Sequence, residues 1–160
     1  NHKSWTAALR PTPRPDMPIK PENRSRYPAD WPEVRERILA RAGYRCEHPG
    51  CMARQYSVGW WSLDERGHRW DAAWGQNDNP RTYSEARQMA AELDYERNEE
   101  GPKPTVIVLT IAHLDHQPEN CADDNLRAMC QRHHLAHDHD HHRANSQATR
   151  RAKAGTLELF

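Results

Sequence analysis

Long apolar runs are missing from this sequence. Of its 160 residues, 36% are hydrophobic, and the mean hydropathy is −1.14. No stretch is long and apolar enough to span a membrane, and neither a signal peptide nor an internal repeat is visible. We therefore expect a small core, and a small domain of this kind often needs a metal to stabilise it.

The sequence also lacks a net charge and an initiator methionine. Its 23 Lys and Arg balance 23 Asp and Glu, so total charge argues neither for nor against a nucleic-acid partner. Residues 1–45 contain ten Lys and Arg but five acids, whereas the charges of residues 76–101 are mostly acidic. Basic ends are compatible with phosphate contacts, and a solvated surface is the alternative. A first residue of Asn1 is typical of a fragment or a processed product.

Residues 1–29 are predicted to form an extended basic arm or linker. Arginines and lysines lie between six prolines, which interrupt any α-helix: Pro11, Pro13, Pro15, Pro18, Pro21 and Pro28. A disordered tail or interdomain linker is one interpretation, and an arm lying on a nucleic acid or a partner is the other. Residues 30–160 are predicted to be one domain with an insertion at about residues 53–104.

The first helix of that domain should begin at Asp30. Asp30 can cap the helix, and Glu33 completes a capping pattern. Gly43, which readily takes the left-handed backbone conformation, is expected to end it. Within the insertion, residues 56–61 and 68–74 are predicted strands. They carry the tryptophans Trp60, Trp61, Trp70 and Trp74, interpreted as a satellite core, with a base-stacking surface as the alternative.

Four further elements follow the first hairpin. Ser84 is predicted to cap a helix that runs to about Asn98. A continuous β-branched run predicts a strand over residues 105–112, and residues 126–129 form a second, short strand. From Gln131 the chain should be helical to about residue 145, with a further helical stretch over residues 146–153.

Cysteines and histidines predict a metal site. In a chain without a secretory signal, cysteine pairs near histidines favour metal over disulfides. One tetrahedral Cys3His set suits zinc and comprises Cys46, Cys51, Cys130 and His133. Cys121 and His48 are alternative ligands, and four unrelated buried cysteines are the interpretation without metal.

The stretch from residue 106 to residue 138 runs V-I-V-L-T-I-A-H-L-D-H-Q-P-E-N-C-A-D-D-N-L-R-A-M-C-Q-R-H-H-L-A-H-D. With His113, Asn125 and His134 in this order, and cysteines near the last histidine, it resembles the HNH family of endonucleases. The resemblance implies an α+β fold with a ββα-metal (His-Me finger) core, stapled by structural zinc and preceded by the arm and the first helix. It implies that His113 is the general base, that Asn125 holds the loop, and that His134 is the final histidine. His133 stands where the family usually has a cysteine.

The resemblance also implies a catalytic ion. The residue before the base is often a metal-ligating Asp or His, but here it is Ala112. His134 and Asp138 share one helix face and can grip an ion, with Asp115 or His116 as a further ligand. Mg²⁺ or Mn²⁺ is expected, and Ni²⁺ or Zn²⁺ can also bind. The run from His137 to His142 is interpreted as a solvated helix face, or alternatively as extra ligands.

The function that the resemblance implies is metal-dependent hydrolysis of phosphodiester bonds in double-stranded DNA. Candidate phosphate contacts are Arg127, Arg132 and Arg143. Phage or mobile-element defence in the cytoplasm of a bacterial or phage-infected cell is the expected setting. The alternative is a catalytically impaired, zinc-stapled module that binds DNA or protein within a larger complex. A third interpretation is a structural zinc protein whose histidine run stores metal.

Overall fold

The protein has an α+β architecture with two small antiparallel sheets. The computed structural model describes residues 19, 21–65, 67–75, 79–97 and 101–157. A 3₁₀ helix spans Pro21–Arg26. The elements that follow are α1 (Trp31–Arg41), β1 (Val58–Asp64), β2 (Gly67–Ala72), α2 (Tyr83–Glu96), β3 (Thr105–Val106), β4 (Thr110–His113), β5 (Leu126–Met129) and α3 (Gln131–Leu157). Among these residues, no helix combines the length and the apolarity needed to cross a membrane.

The predicted strand over residues 105–112 is two strands in two different sheets. Its start, β3, pairs with β1 in the sheet β2-β1-β3, and its end, β4, pairs with β5. Between them, Ile107 exchanges backbone hydrogen bonds of 2.8 Å with Tyr56 and Ser57. The middle of the run is therefore hydrogen-bonded to the loop that precedes β1. Two of its apolar side chains, Ile107 and Leu109, are buried in the hydrophobic core.

The main core lies where α1 and α3 pack on the β4–β5 pair. Four almost completely buried aliphatic residues form its centre: Ile38, Leu39, Leu109 and Leu126. Each contributes roughly 1.5–3 kcal/mol by its burial. This packing fixes α3, which carries His133, His134 and Asp138, against β4, which ends at His113.

Helix α1 begins and ends where predicted, but without the predicted side-chain cap. At its end, Gly43 has φ 59°, and the Tyr44 amide donates to the Leu39 carbonyl at 2.9 Å, which is a Schellman arrangement. At its start, Asp30 has φ −90° and ψ 20° and makes no side-chain capping bond. The predicted Asp30 cap is therefore wrong, because the backbone there does not take the extended conformation that capping needs.

The N-cap of helix α2 lies two residues before the predicted one. Thr82, with φ −127° and ψ 157°, accepts a hydrogen bond from the Glu85 amide at 3.2 Å. Ser84 is thus inside the helix. Ala86 and Ala90 of α2 pack with Val58 and Val106 in a second, smaller cluster.

The four tryptophans do not form one satellite core. Trp61 and Trp70, with ring centroids 5.2 Å apart, belong to the main core, whereas Trp74 packs against the smaller cluster. The predicted strands themselves are confirmed as β1 and β2, with Trp61 opposite Trp70. Pairing across the hairpin places these two rings together.

Helix α3 is one helix of 27 residues instead of two. Where a break was predicted, Thr149 and Arg150 donate side-chain hydrogen bonds to carbonyls four residues earlier, at 2.9 and 3.3 Å. Every described side chain from residue 139 to residue 155 is exposed. The helix therefore packs on the core only through its first two turns.

Of the predicted arm, residues 1–18 and 20 lie outside the described residues. Residues 21–26 are not extended, since they form the 3₁₀ helix. Arg26 makes a two-pronged ion pair with Glu119, at 2.5 and 3.0 Å. Tyr27 then packs edge-on against Trp31, with ring centroids 4.9 Å apart. This end of the predicted arm thus contacts the loop that follows β4.

Candidate metal centres

A short loop between α1 and β1 carries the first two predicted zinc ligands. The loop closes on itself because the Cys46 amide donates to the Ala53 carbonyl at 2.9 Å, and the Cys51 amide donates to the His48 carbonyl at 3.0 Å. The Glu47 amide also donates to the Ala128 carbonyl of β5 at 2.8 Å. These bonds hold the loop beside the end of β5, where the other two predicted ligands lie.

The four predicted zinc ligands meet at this point. One ligand atom from each of Cys46, Cys51, Cys130 and His133 lies within 4.8 Å of the other three. His133 Nδ1 is 3.2 Å from Cys130 Sγ and 3.5 Å from Cys46 Sγ. Two ligands of a tetrahedral zinc with ordinary Zn–S and Zn–N bonds lie about 3.5 Å apart. This cluster could therefore hold a structural metal such as zinc.

Electrostatics in the cluster also suit a metal. Thiol hydrogen bonds from Cys130 and Cys51 lower the pKa of Cys46 far below its usual value. The thiolate is the form that binds metals. Cys46 and Cys130 are buried, and Cys130 also donates its backbone N–H to Cys46 Sγ at 3.3 Å. The pKa of Cys51 and that of Cys130 are raised in return, so the cluster without a cation contains one thiolate, and a bound cation would favour the thiolate form of the other two.

The alternative zinc ligands lie elsewhere. The His48 ring stacks on the His133 ring at 3.7 Å, with 1° between the planes. Its Nδ1 is 3.0 Å from the Pro49 carbonyl oxygen. Cys121 Sγ lies 3.9 Å from Nε2 of His113, outside the cluster. His48 therefore covers a ligand ring instead of joining the set.

His113, the predicted base, closes β4. It is buried, and its ring stacks on Trp31 at 5.3 Å and meets the edge of Tyr27 at 5.8 Å. Burial lowers the pKa of His113 from its usual value, and the nearby Asp115 carboxylate opposes this only in part. A neutral imidazole in a fixed orientation is the state that a general base needs.

Asn125 and Asp115 hold the loop between β4 and β5. The Asn125 side chain accepts from the Asp115 amide at 3.2 Å, and donates to the Asp115 carboxylate at 2.9 Å and to the Asn120 carbonyl at 2.8 Å. Hydrogen bonds from the Asn125 side chain, the Gln117 amide and the Asn120 side chain lower the pKa of Asp115 to about 2. The geometry agrees with the predicted loop-holding role of Asn125. Asp115, predicted as a metal ligand, instead has its oxygens engaged within the loop.

Asp138 is the centre of a second cluster. Its Oδ2 lies 3.2 Å from His134 Nε2, as the spacing of four residues predicts, and 3.9 Å from His142 Nε2. Its Oδ1 lies 3.2 Å from Nδ1 of His116, which comes from the loop after β4. One ligand atom from each of His116, His137 and Asp138 lies within 4.8 Å of the others. Asp138 thus has a histidine on either side.

His134 lies between Thr110 and Asp138. Its Nδ1 is 2.5 Å from the Thr110 hydroxyl oxygen, which is also 3.3 Å from the Met129 carbonyl oxygen, and its Nε2 is 3.2 Å from Asp138 Oδ2. The hydroxyl has one proton, so it donates either to Nδ1 or to the Met129 carbonyl, and the tautomer of His134 follows from that choice. Burial lowers the pKa of His134, which disfavours the doubly protonated ring. Without a proton on Nε2, the imidazole and the carboxylate can share one cation.

The sequence did not single out His137. It lies three residues after His134, and so on the same side of α3, but the run of six His and Asp residues hid this signal. His116 was only an optional ligand, because nothing in the sequence shows that its loop folds back onto α3. Its backbone, with φ 58°, makes that fold.

Two of the three candidate phosphate contacts are engaged within the chain. Arg127 donates to the Asp124 and Leu126 carbonyls at 3.3 and 3.0 Å. The Arg132 guanidinium lies over the Trp61 ring, 5.5 Å from its centroid. Arg143 is exposed on α3. Of the three, Arg143 presents its charge most openly.

Comparisons with known proteins found no relative: no protein-family model, no curated protein and no solved structure matches this chain.

Proposed function

We propose that this chain is a metal-dependent HNH endonuclease that hydrolyses phosphodiester bonds of double-stranded DNA, by nicking or by cutting both strands. The observation that carries the proposal is the convergence of β4, β5 and α3. A buried histidine ends the first strand, an asparagine clasps the connecting loop, and His134 and Asp138 face each other at 3.2 Å on the helix. This order and geometry support a ββα-metal core.

Each residue then has a role in hydrolysis. His113, kept neutral by burial, takes a proton from the attacking water, and stacking on Trp31 holds its ring in place. Asn125 keeps the loop in the shape that orients His113. His134 and Asp138 hold the catalytic ion. A divalent ion, when bound there, supplies positive charge for the phosphate and the departing 3′ oxygen. Arg143 contacts the DNA backbone.

The experiment is cleavage of supercoiled plasmid with EDTA, Mg²⁺, Mn²⁺ or Ni²⁺. We expect wild-type protein to cut only with an added ion, and His113→Ala to be slower by about 10²–10⁴-fold, the usual contribution of a general base. His68→Ala, which changes an exposed histidine on β2, is the matched control and should cut normally. Equal cleavage by His113→Ala and wild type would contradict the assignment of the base.

One observation favours a second candidate, a catalytically impaired DNA- or protein-binding module of a larger complex. Ala112 lies two residues after Thr110 on β4, so both side chains lie on the same face, and Thr110 contacts His134. The residue before the base is therefore buried on the side of β4 that packs on α3, and it offers no ligand atom. If the zinc-loaded protein binds DNA but no ion supports cleavage, this candidate replaces the nuclease.

A further inference from the structure

We propose that His116, His137 and Asp138 form a second divalent metal site of the zinc, nickel and cobalt class, adjacent to the catalytic ion and inhibitory to it. Binding of this ion does not depend on the proposed nuclease activity, whereas its effect on cleavage rests on that function. Two imidazoles and one carboxylate are ligands that suit these metals more than Mg²⁺.

The ligands come from two elements that the fold brings together. His137 and Asp138 lie on the part of α3 that packs on the core, and His116 lies in the loop after β4. His116 Nδ1 is 3.2 Å from Asp138 Oδ1. Ligands with bonds of 2.0–2.2 Å to a tetrahedral ion lie about 3.4 Å apart. This pair therefore has the spacing that one shared ion needs, and a ligand atom of His137 lies within 4.8 Å of both.

The proton on His137 is already in the right place. His137 Nε2 is 3.2 Å from the His113 carbonyl oxygen, which can only accept a hydrogen bond. Nε2 is therefore protonated, and Nδ1 keeps its lone pair. Metal-bound histidines commonly donate their other ring N–H to a backbone carbonyl in this way.

His116 is fixed in position by its neighbours. Its ring lies between those of His137 and His141, with centroids 4.6 and 4.7 Å away and planes tilted by 22° and 11°. Its backbone, in the left-handed region, is closed by a hydrogen bond of 3.0 Å from its amide to the His113 carbonyl. The side chains of His116 and Asp138 remain 28% and 21% exposed, so an ion can reach them from solvent.

Asp138 couples the two sites. Its Oδ1 faces His116, while its Oδ2 faces His134. A carboxylate that bridges two cations gives less charge to each, and the cations repel one another. An ion bound to His116 and His137 should therefore weaken the catalytic ion, so that zinc or nickel in excess inhibits the enzyme.

The test is Co²⁺ binding to protein loaded with a single equivalent of zinc, intended for the Cys3His cluster, measured by equilibrium dialysis and by the visible spectrum of bound Co²⁺. We expect His116→Gln and His137→Gln each to bind one Co²⁺ fewer than wild type, and His134→Ala to keep the ion that those variants lose. Gln at position 137 can still donate to the His113 carbonyl, so folding should survive, and far-UV circular dichroism checks this. His139→Gln, at a side chain 69% exposed, is the matched control and should bind as wild type does.

Three results would overturn the site. In the first, His137→Gln binds Co²⁺ as wild type does. In the second, His139→Gln loses as much as His137→Gln, which means that the whole histidine run binds loosely. In the third, His134→Ala loses every Co²⁺ that the other variants lose, which means one joint site. Absence of plasmid cleavage would overturn the nuclease instead and leave these binding results unchanged.

In a protein that cuts plasmid, the inhibitory effect has its own measurement. With Mn²⁺ held constant, added Zn²⁺ should slow cleavage by wild type and by His139→Gln, but much less by His137→Gln. Equal inhibition of all three would show that zinc acts elsewhere, and the regulatory part of the inference would fail.

Discussion

The Cys3His cluster and the Asp138 cluster differ in burial and in ligand chemistry. The first has two buried thiols and one ligand atom from each of four residues. The second is partly exposed, with one carboxylate among several imidazoles. Structural zinc sites are closed by four protein ligands, whereas catalytic sites keep a position open. The difference is consistent with the proposed roles, a structural zinc in the first cluster and a catalytic ion in the second.

The largest expected effect tests the first half of that comparison. Cys130→Ser should unfold the protein or destabilise it by on the order of 5 kcal/mol, because structural zinc in zinc-finger peptides contributes more than this. Thermal melting and zinc content measure the effect, and a strong chelator should mimic it in wild type. Cys121→Ser is the control, since Cys121 lies outside the cluster. Unchanged melting and zinc content in Cys130→Ser would remove the structural role.

The second prediction tests the other half. Asp138→Asn should reduce plasmid cleavage by about 100-fold or more, because it removes the charge shared by the proposed ligands. The melting temperature should hardly change, since the side chain is partly exposed on one helix. A variant that melts like Cys130→Ser would erase the distinction between the two clusters.

A smaller effect concerns pH. Burial lowers the pKa of His113, and nearby Asp115, Glu119 and Asp138 offset this only in part. The neutral base is then present down to a pH below its ordinary pKa, so cleavage should reach half its maximum below pH ~6.5. Trp31→Leu opens the stack on His113 and should move that midpoint upward. A midpoint that Trp31→Leu leaves unchanged would show that another group controls the rate.

The smallest expected effect concerns Ala112, which stands where the family often has a metal-ligating Asp or His. Ala112→Asp places a carboxylate on the face of β4 that carries Thr110, so the Mn²⁺ concentration for half-maximal cleavage should fall, by about tenfold at most. Ala112→Asn, which has the same size without the charge, should give little of this gain. If both variants only lower stability, the position does not reach the ion.

The sequence predicted the Cys3His cluster more completely than the Asp138 cluster. Spacing alone brings Cys130 and His133 together on one turn, and only the loop with Cys46 and Cys51 had to pack beside them. The role of Asp115 depends on hydrogen-bond donors that only the folded loop brings close to it. The sequence alone is therefore equally compatible with Asp115 as a metal ligand and as a residue that holds the loop. His116 joins α3 through a backbone turn that no sequence pattern announces.

The same reasoning explains the errors in the fold. Ile107 pairs with residues some 50 positions earlier, and a long-range contact of this kind is what divides the predicted strand. Asn145 and Ser146 have low helix propensity and therefore suggested a break, but neither prevents a helix from continuing. Local preferences located the elements well, whereas tertiary contacts decided where they join.

Helix α3 has two parts with different surroundings. Up to Asp138 it packs on the core, and from residue 139 to residue 155 it extends into solvent for about 25 Å, at 1.5 Å per residue. A free helix of that length is only marginally stable in water. Amide hydrogens should therefore exchange faster with distance from Asp138, and any force applied at the far end would reach the candidate metal centres through the two turns that pack on the core.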